Sequence, residues 1–253
     1  MSYEQDWNDL AALDPFWAIM SDARRKHGRW DAEAFFATGE QEIEALMQRA
    51  QTLGGLGARG RALDFGCGVG RTTRALAKHF DECTGADVSL EMIKLARELN
   101  AAFPNCTFVH SADDELSHFG DYSFDFIYCN IVLQHLGDRA AIEACLAELV
   151  RLLRPDALLV FRLPTTVPWL VRLQPRRKLY GLLRRARISP RFLYFRLGLH
   201  PISMTVVSEE EVRDALSANS AHTVQIEPSA DPNFEFSSTT YYVKRAQPEA
   251  SAT

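Results

Sequence analysis

The chain has 253 residues, 47% of them hydrophobic and 24% charged, with a formal net charge of −5. That is the composition of a globular protein with one large domain, or one domain and a modest insertion, and it excludes a disordered or fibrous chain. No apolar run approaches the ~20 residues of a membrane span and no leader-like segment is present, so a cytoplasmic location is expected.

The first 52 residues read as helices carrying Trp7, Phe16, Trp17, Trp30, Phe35 and Phe36. Thr38 and Gln41 form a capping-box pattern ahead of Ile43, Leu46 and Met47, which places a helix start at Thr38. Gly54-Gly55-Leu56-Gly57 connects to a short strand ending in Asp64. Gly66, Gly68 and Gly70 follow at alternate positions, and helical spacing runs from Arg71 to about His79. A second strand covers Cys83–Asp87, and a helix capped by Ser89 covers Leu90–Asn100. A third strand spans Cys106–His110 and a fourth spans Ser123–Asn130, in which Asp125 reads as structural. A helix then extends from Asp138 to Leu153, before a fifth strand at Leu158–Phe161.

Between Asp156 and Glu209 there are ten basic residues and no acid, which leaves −15 on the rest of the chain. Whatever meets this segment is expected to be anionic. Pro175 opens a basic amphipathic helix with Leu179, Leu182, Leu183 and Ala186 on its apolar face. Phe192, Tyr194 and Phe195 come next, and Ser208 caps a helix to about Ala218. Two alternating strands, His222–Glu227 and Thr239–Lys244, precede a loose tail. The five cysteines are widely spaced without a CxxC pair, as expected of free thiols in a reducing compartment.

Alternate glycines let a backbone turn sharply and lie close to a ligand. A dinucleotide fingerprint would need glycine at position 71, where the chain has Arg71, and the Gly-Lys-Ser/Thr of a phosphate loop is absent. What remains is Asp64-x-Gly66-x-Gly68-x-Gly70, with Asp87 at the spacing of an acid that takes both hydroxyls of a ribose. These residues resemble the class I S-adenosylmethionine-dependent methyltransferases, over residues 61 to 163 and again near the C-terminus.

The resemblance implies an α/β three-layer sandwich with a doubly wound, mostly parallel seven-stranded sheet whose last strand is antiparallel. It implies an N-terminal helical cap (1–57), a Rossmann-like core (58–163 and 208–245), a basic lid insertion (164–207) and a tail (246–253). S-adenosylmethionine would be held by Asp64, Gly66, Cys67, Gly68, Gly70, Asp87, Val88, Met92 and Asn130. Asp113, or alternatively Asp114, would meet the adenine. His135 and His200 are the candidate catalytic groups, and no metal is called for. The expected reaction is methyl transfer to a small or medium-sized anionic metabolite, glycan or lipid intermediate, with peripheral membrane contact through the basic insertion. The competing readings are an RNA-modifying methyltransferase, against which the acidic pI of about 5.8 counts, and a non-catalytic cofactor-binding or membrane-surface protein.

Overall fold

The computed structural model describes residues 3–111, 115–230 and 237–246. Its sheet contains β1 (Arg61–Phe65), β2 (Glu82–Asp87), β3 (Cys106–His110), β4 (Phe124–Asn130), β5 (Leu153–Thr166), β6 (Ala221–Ala230) and β7 (Ser237–Arg245). The strand order is β3-β2-β1-β4-β5-β7-β6. β1 to β5 pair in parallel, and β7 runs antiparallel to both β5 and β6. β4 reads Phe-Asp-Phe-Ile-Tyr-Cys without polar alternation because helices cover both sheet faces, and only Asn130 at its end is less than fully buried. The chain winds one way from β1 to β2 and β3 and the other way from β4 to β5. The carboxyl ends of β1 and β4 therefore flank the switch point where such sheets bind ligands.

The helices are α1 (Tyr3–Leu13), α2 (Pro15–Ile19), α3 (Ala32–Thr52), α4 (Thr73–Leu76), α5 (Leu90–Leu99), α6 (Arg139–Leu152), α7 (Trp169–Leu173), α8 (Pro175–Arg185), α9 (Pro190–Leu197) and α10 (Glu209–Ala218). Alternate strand residues feed two cores. Leu63, Ile127, Leu159 and Phe161 pack with Leu146, Leu149 and Leu216 of α6 and α10. Ala62, Phe126, Leu158 and Val160 pack with Ile43, Leu46 and Met47 of α3 on the other face. Asp125 accepts from the Arg61 N–H at 2.8 Å and pairs with Arg154 at 2.8 Å, the structural role expected of it.

Three local expectations need correction. α3 starts six residues before Thr38, because Asp31 caps it by accepting from the Ala34 N–H at 2.9 Å. α3 thus packs with α4 on one face of the sheet. α4 is a single turn, since the chain tightens into i→i+3 bonds at Lys78 and His79 on its way into β2. β5 begins directly after α6, with Leu153 paired to Phe124 and the irregularity absorbed at Asp156, whose φ is +61°. Of the apolar face read on α8, Leu179 and Leu182 are exposed, and the buried residue of the helix is Tyr180.

The N-terminal cap and the insertion meet at one buried carboxylate. Asp14 Oδ2 accepts from the His27 and Gly28 N–H groups and from the Tyr194 hydroxyl of α9, the last at 2.8 Å. Lys26 Nζ lies 4.6 Å from the Trp17 ring centroid and 4.5 Å from that of Tyr194. Tyr194→Phe removes a hydrogen bond to a charged group, so a loss of ~1.5–3 kcal/mol is expected in urea melts, with an unchanged m-value.

Candidate functional site

At the switch point the strand ends open into a cavity of about 1300 Å³. A pocket for one small ligand measures roughly 300–1,000 Å³, so this one has room for two molecules side by side. Part of its wall is Asp64 to Gly68, Asp87, Val88, Met92 and Asn130. Trp7 and Trp17 of the cap, Gln134 and His135 after β4, Arg162 of β5, and His200, Ile202 and Met204 complete another part.

The loop after β1 is shaped by its own hydrogen bonds. The N–H groups of Gly66 and Cys67 both donate to Ala86 O, and the Gly68 N–H donates to Asp87 Oδ2 at 2.8 Å. Asp87 Oδ1 accepts from the Ser89 N–H at 2.8 Å, so this carboxylate ties the loop to the start of α5 while standing in the cavity wall. Burial is the main cause holding the Asp87 pKa above the usual carboxylate value. Asp64 is fully enclosed: its Oδ2 accepts from the Thr72 and Thr73 hydroxyls at 2.8 and 2.6 Å, and burial pushes its pKa up to about 6. Its visible role is to fasten the turn into α4.

All three glycines have positive φ, yet the space a Cβ would occupy is filled by this chain. At Gly66 it would meet Val132, and at Gly68 the side chain of Ile19. At Gly70 it would meet Asn100 and Phe108, and Gly70 is not among the residues lining the cavity. Cys67 is in the wall, but its side chain belongs to a buried cluster with Ile93, Ala96 and Phe108. Asp113 and Asp114 lie outside the described residues.

Three residues around the site were invisible in sequence. Glu42 of α3 accepts from the Tyr128 hydroxyl at 2.6 Å and from the Asn130 amide at 2.8 Å on one oxygen, and from Arg71 at 2.8 Å on the other. Arg71, notable in the sequence only for not being glycine, also reaches the Thr38 hydroxyl at 3.3 Å. Thr38 and Glu42 stand four apart on one helix face, the only local hint of this network. Asn8 of α1 is the third: its Oδ1 accepts from the Ser89 hydroxyl at 2.8 Å and from the Glu91 N–H, doubling the cap of α5.

The two histidines share the cavity. His135 Nδ1 lies 2.5 Å from Ser203 O, which requires a proton on Nδ1 and leaves Nε2 as the lone-pair nitrogen. The Ser203 hydroxyl donates back to His135 O at 3.0 Å, so this pair also fastens residues 200–205 to the loop after β4. The His200 ring packs edge-on to Trp17 at 5.5 Å. Burial lowers the pKa of His135 to about 4, and burial together with the nearby Lys26 and Arg176 charges lowers that of His200 to about 4. Both rings are therefore neutral at pH 7. In the folded protein their C–H proton NMR signals should stay flat from pH 8 to 5, whereas an exposed imidazole titrates near 6.5. A midpoint above 6 for either ring would contradict this burial.

No basic residue of α7, α8 or α9 lines the cavity. Arg162 is the one cation contributed by the basic segment, and its guanidinium donates to Ser238 and Ser229 at 2.7 Å each. Among the described residues, five buried polar atoms on wall residues have no hydrogen-bond partner: Arg71 Nε, Asn130 Oδ1, Gln134 Oε1, Trp17 Nε1 and His200 Nδ1. Among the described residues no cluster of three or more metal-ligating side chains occurs.

Residues 63–161 match the family described as "Methyltransferase domain". The chain is 34% identical over 119 residues to a ubiquinone biosynthesis O-methyltransferase of Alkalilimnicola ehrlichii, covering 44% of each protein. It is 35% identical over 103 residues to a demethylmenaquinone methyltransferase of Staphylococcus aureus, covering 40% of this chain and 41% of that one. It thus spans less than half the length of these sequence relatives. Among solved structures, magnesium protoporphyrin IX methyltransferase from Synechocystis with bound SAH is similar at a TM-score of 0.62 and 20% identity, covering 96% of this chain and 98% of that one. Such identity speaks for the fold alone. With the sheet order, the glycine loop and the family match in agreement, residues 63–161 resemble a methyltransferase domain, and the chain has the fold of the class I S-adenosylmethionine-dependent methyltransferases.

Proposed function

We propose that this chain transfers the methyl group of S-adenosylmethionine to a small, mostly apolar acceptor that carries a polar or anionic group. The observation that carries the reading is the set of five partnerless buried polar atoms on residues lining a cavity large enough for two ligands. Each such atom costs roughly 1–3 kcal/mol unless a ligand completes it, so the wall is built for polar groups it does not itself supply.

The residues fit the cofactor. Asp87 keeps lone pairs for a ribose diol beyond the two N–H groups it already accepts, and Asn130 Oδ1 is an acceptor for an ammonium group. When bound, S-adenosylmethionine supplies a methyl already made electrophilic by its sulfonium. The chain's own task is then to align the acceptor and exclude water, which can provide ~7–11 kcal/mol of barrier lowering. Trp7, Trp17 and Ile202 give an apolar bed for the acceptor, while Arg162 and His200 face its polar end. His135, with its proton fixed on Nδ1, offers Nε2 to an acceptor hydroxyl. With its pKa near 4, it takes that proton only as the methyl bond forms.

That the sequence relatives are named for quinone biosynthesis and one structural neighbour for a porphyrin supports an apolar ring acceptor. Incubation with methyl-labelled S-adenosylmethionine and a panel of quinols, phenols and porphyrin or fatty carboxylates should give a labelled, solvent-extractable product. Arg162→Ala should raise KM for the anionic acceptors and spare the neutral ones. Label appearing in RNA, or in none of these, would sink the reading.

A further inference from the structure

The large hydrophobic side chains exposed on this molecule are concentrated in one short stretch. Among the described residues, Trp169 is 67% exposed and Leu182 63%, and Leu173, Leu179, Phe192 and Leu197 are between 45% and 50% exposed. The same stretch, 169 to 197, holds nine basic residues and no acid. Arg184 is spent internally, paired with Asp9 at 3.1 Å. The other eight are exposed, and none takes part in an ion pair among the described residues. The inward sides of α8 and α9 are accounted for by their own cluster of Tyr180, Leu193 and Leu199. Leu179 and Leu182, one turn apart beside Lys178 and Arg185, are therefore held outward by a packed scaffold.

We propose that this face docks the protein on an anionic bilayer surface, with Trp169, Phe192 and the leucines at the headgroup–acyl boundary and the arginines on lipid phosphates. Charge and chemistry together select this occupant. A second copy would set eight unpaired cations against eight. A nucleic acid would engage the arginines and aromatic rings but would leave the aliphatic Leu173, Leu179, Leu182 and Leu197 in water. A bilayer boundary accepts both kinds of group, and long basic side chains reach its phosphates from apolar anchors.

The face is continuous with the cavity. Pro168, in the cavity wall, immediately precedes Trp169, and Gln174 between α7 and α8 donates to Met204 O of that wall at 2.8 Å. An apolar acceptor dissolved in the bilayer would therefore meet the cavity beside the docked surface. The docking itself does not depend on methyl transfer, and it is tested without turnover.

Full-length protein is sedimented with vesicles of phosphatidylcholine alone or of phosphatidylcholine with phosphatidylglycerol. Binding to the anionic vesicles only, weakening as salt rises, is the expected result. Arg185→Gln with Arg187→Gln should weaken it about 30-fold, and Trp169→Ser with Leu182→Ser about tenfold or more. All four side chains are exposed, so thermal melts of the variants should overlay the parent. No binding to anionic vesicles, or binding that both double variants retain, overturns the proposal. So does retention on RNA in place of vesicles, or a dimer in sedimentation equilibrium that the Trp169 and Leu182 changes dissociate.

Discussion

Glu42→Ala is expected to lower the unfolding free energy by about 3–5 kcal/mol, the largest stability loss predicted for a single polar side chain at the site. The Arg71 side chain is 7% exposed and that of Glu42 28%, so removing the carboxylate strands an enclosed guanidinium. It also frees the Tyr128 hydroxyl and the Asn130 amide, both of which donate to the same oxygen. The loss should appear as a fall in melting temperature of roughly 10 °C for a chain of this size. Glu42→Gln keeps one acceptor and the volume, and should recover part of it. A melt within a degree or two of the parent for Glu42→Ala would show that Arg71 finds water instead. S-adenosylmethionine affinity should fall as well, because Asn130 loses the partner that fixes its amide and with it the direction of Oδ1.

Asp87→Ala is expected to weaken cofactor binding by about 30- to 150-fold, the ~2–3 kcal/mol of a charge-assisted pair of hydrogen bonds. The geometry adds a second consequence that spacing alone did not reveal. Asp87 is also the acceptor for the Gly68 and Ser89 N–H groups, so the variant should melt lower even without ligand. Calorimetry and melts on one preparation separate the two effects. Lost affinity with unchanged stability would mean that solvent replaces both backbone bonds. Lost stability with unchanged affinity would mean that Asp87 is a loop fastener and the ribose lies elsewhere.

These two sites differ in how legible they were. The strands, the glycine loop and the crossover helices could be read because each is a local pattern: a buried run, glycines at alternate positions, a serine ahead of an apolar face. Asp87 could be found because its spacing from Asp64 is set by one helix and one strand. Glu42 could not, since its partners Arg71, Tyr128 and Asn130 come from other elements and nothing around residue 42 announces them. The basic insertion was legible only in part for a related reason. Leu179 and Leu182 do define an apolar face of α8, but periodicity cannot say whether protein covers it, and the side that folds inward is the one with Tyr180. Likewise Gly70 satisfied the motif while its lack of a side chain serves the contact with Asn100 and Phe108.

The central claim is that the cavity at the switch point holds S-adenosylmethionine. Titration calorimetry of the whole chain with S-adenosylmethionine, its demethylated product and NAD tests it most directly. Saturable one-to-one binding of the first two, absent for NAD and weakened in Asp87→Ala, is the predicted result. Tight NAD binding with no heat from S-adenosylmethionine or its demethylated product would contradict the account.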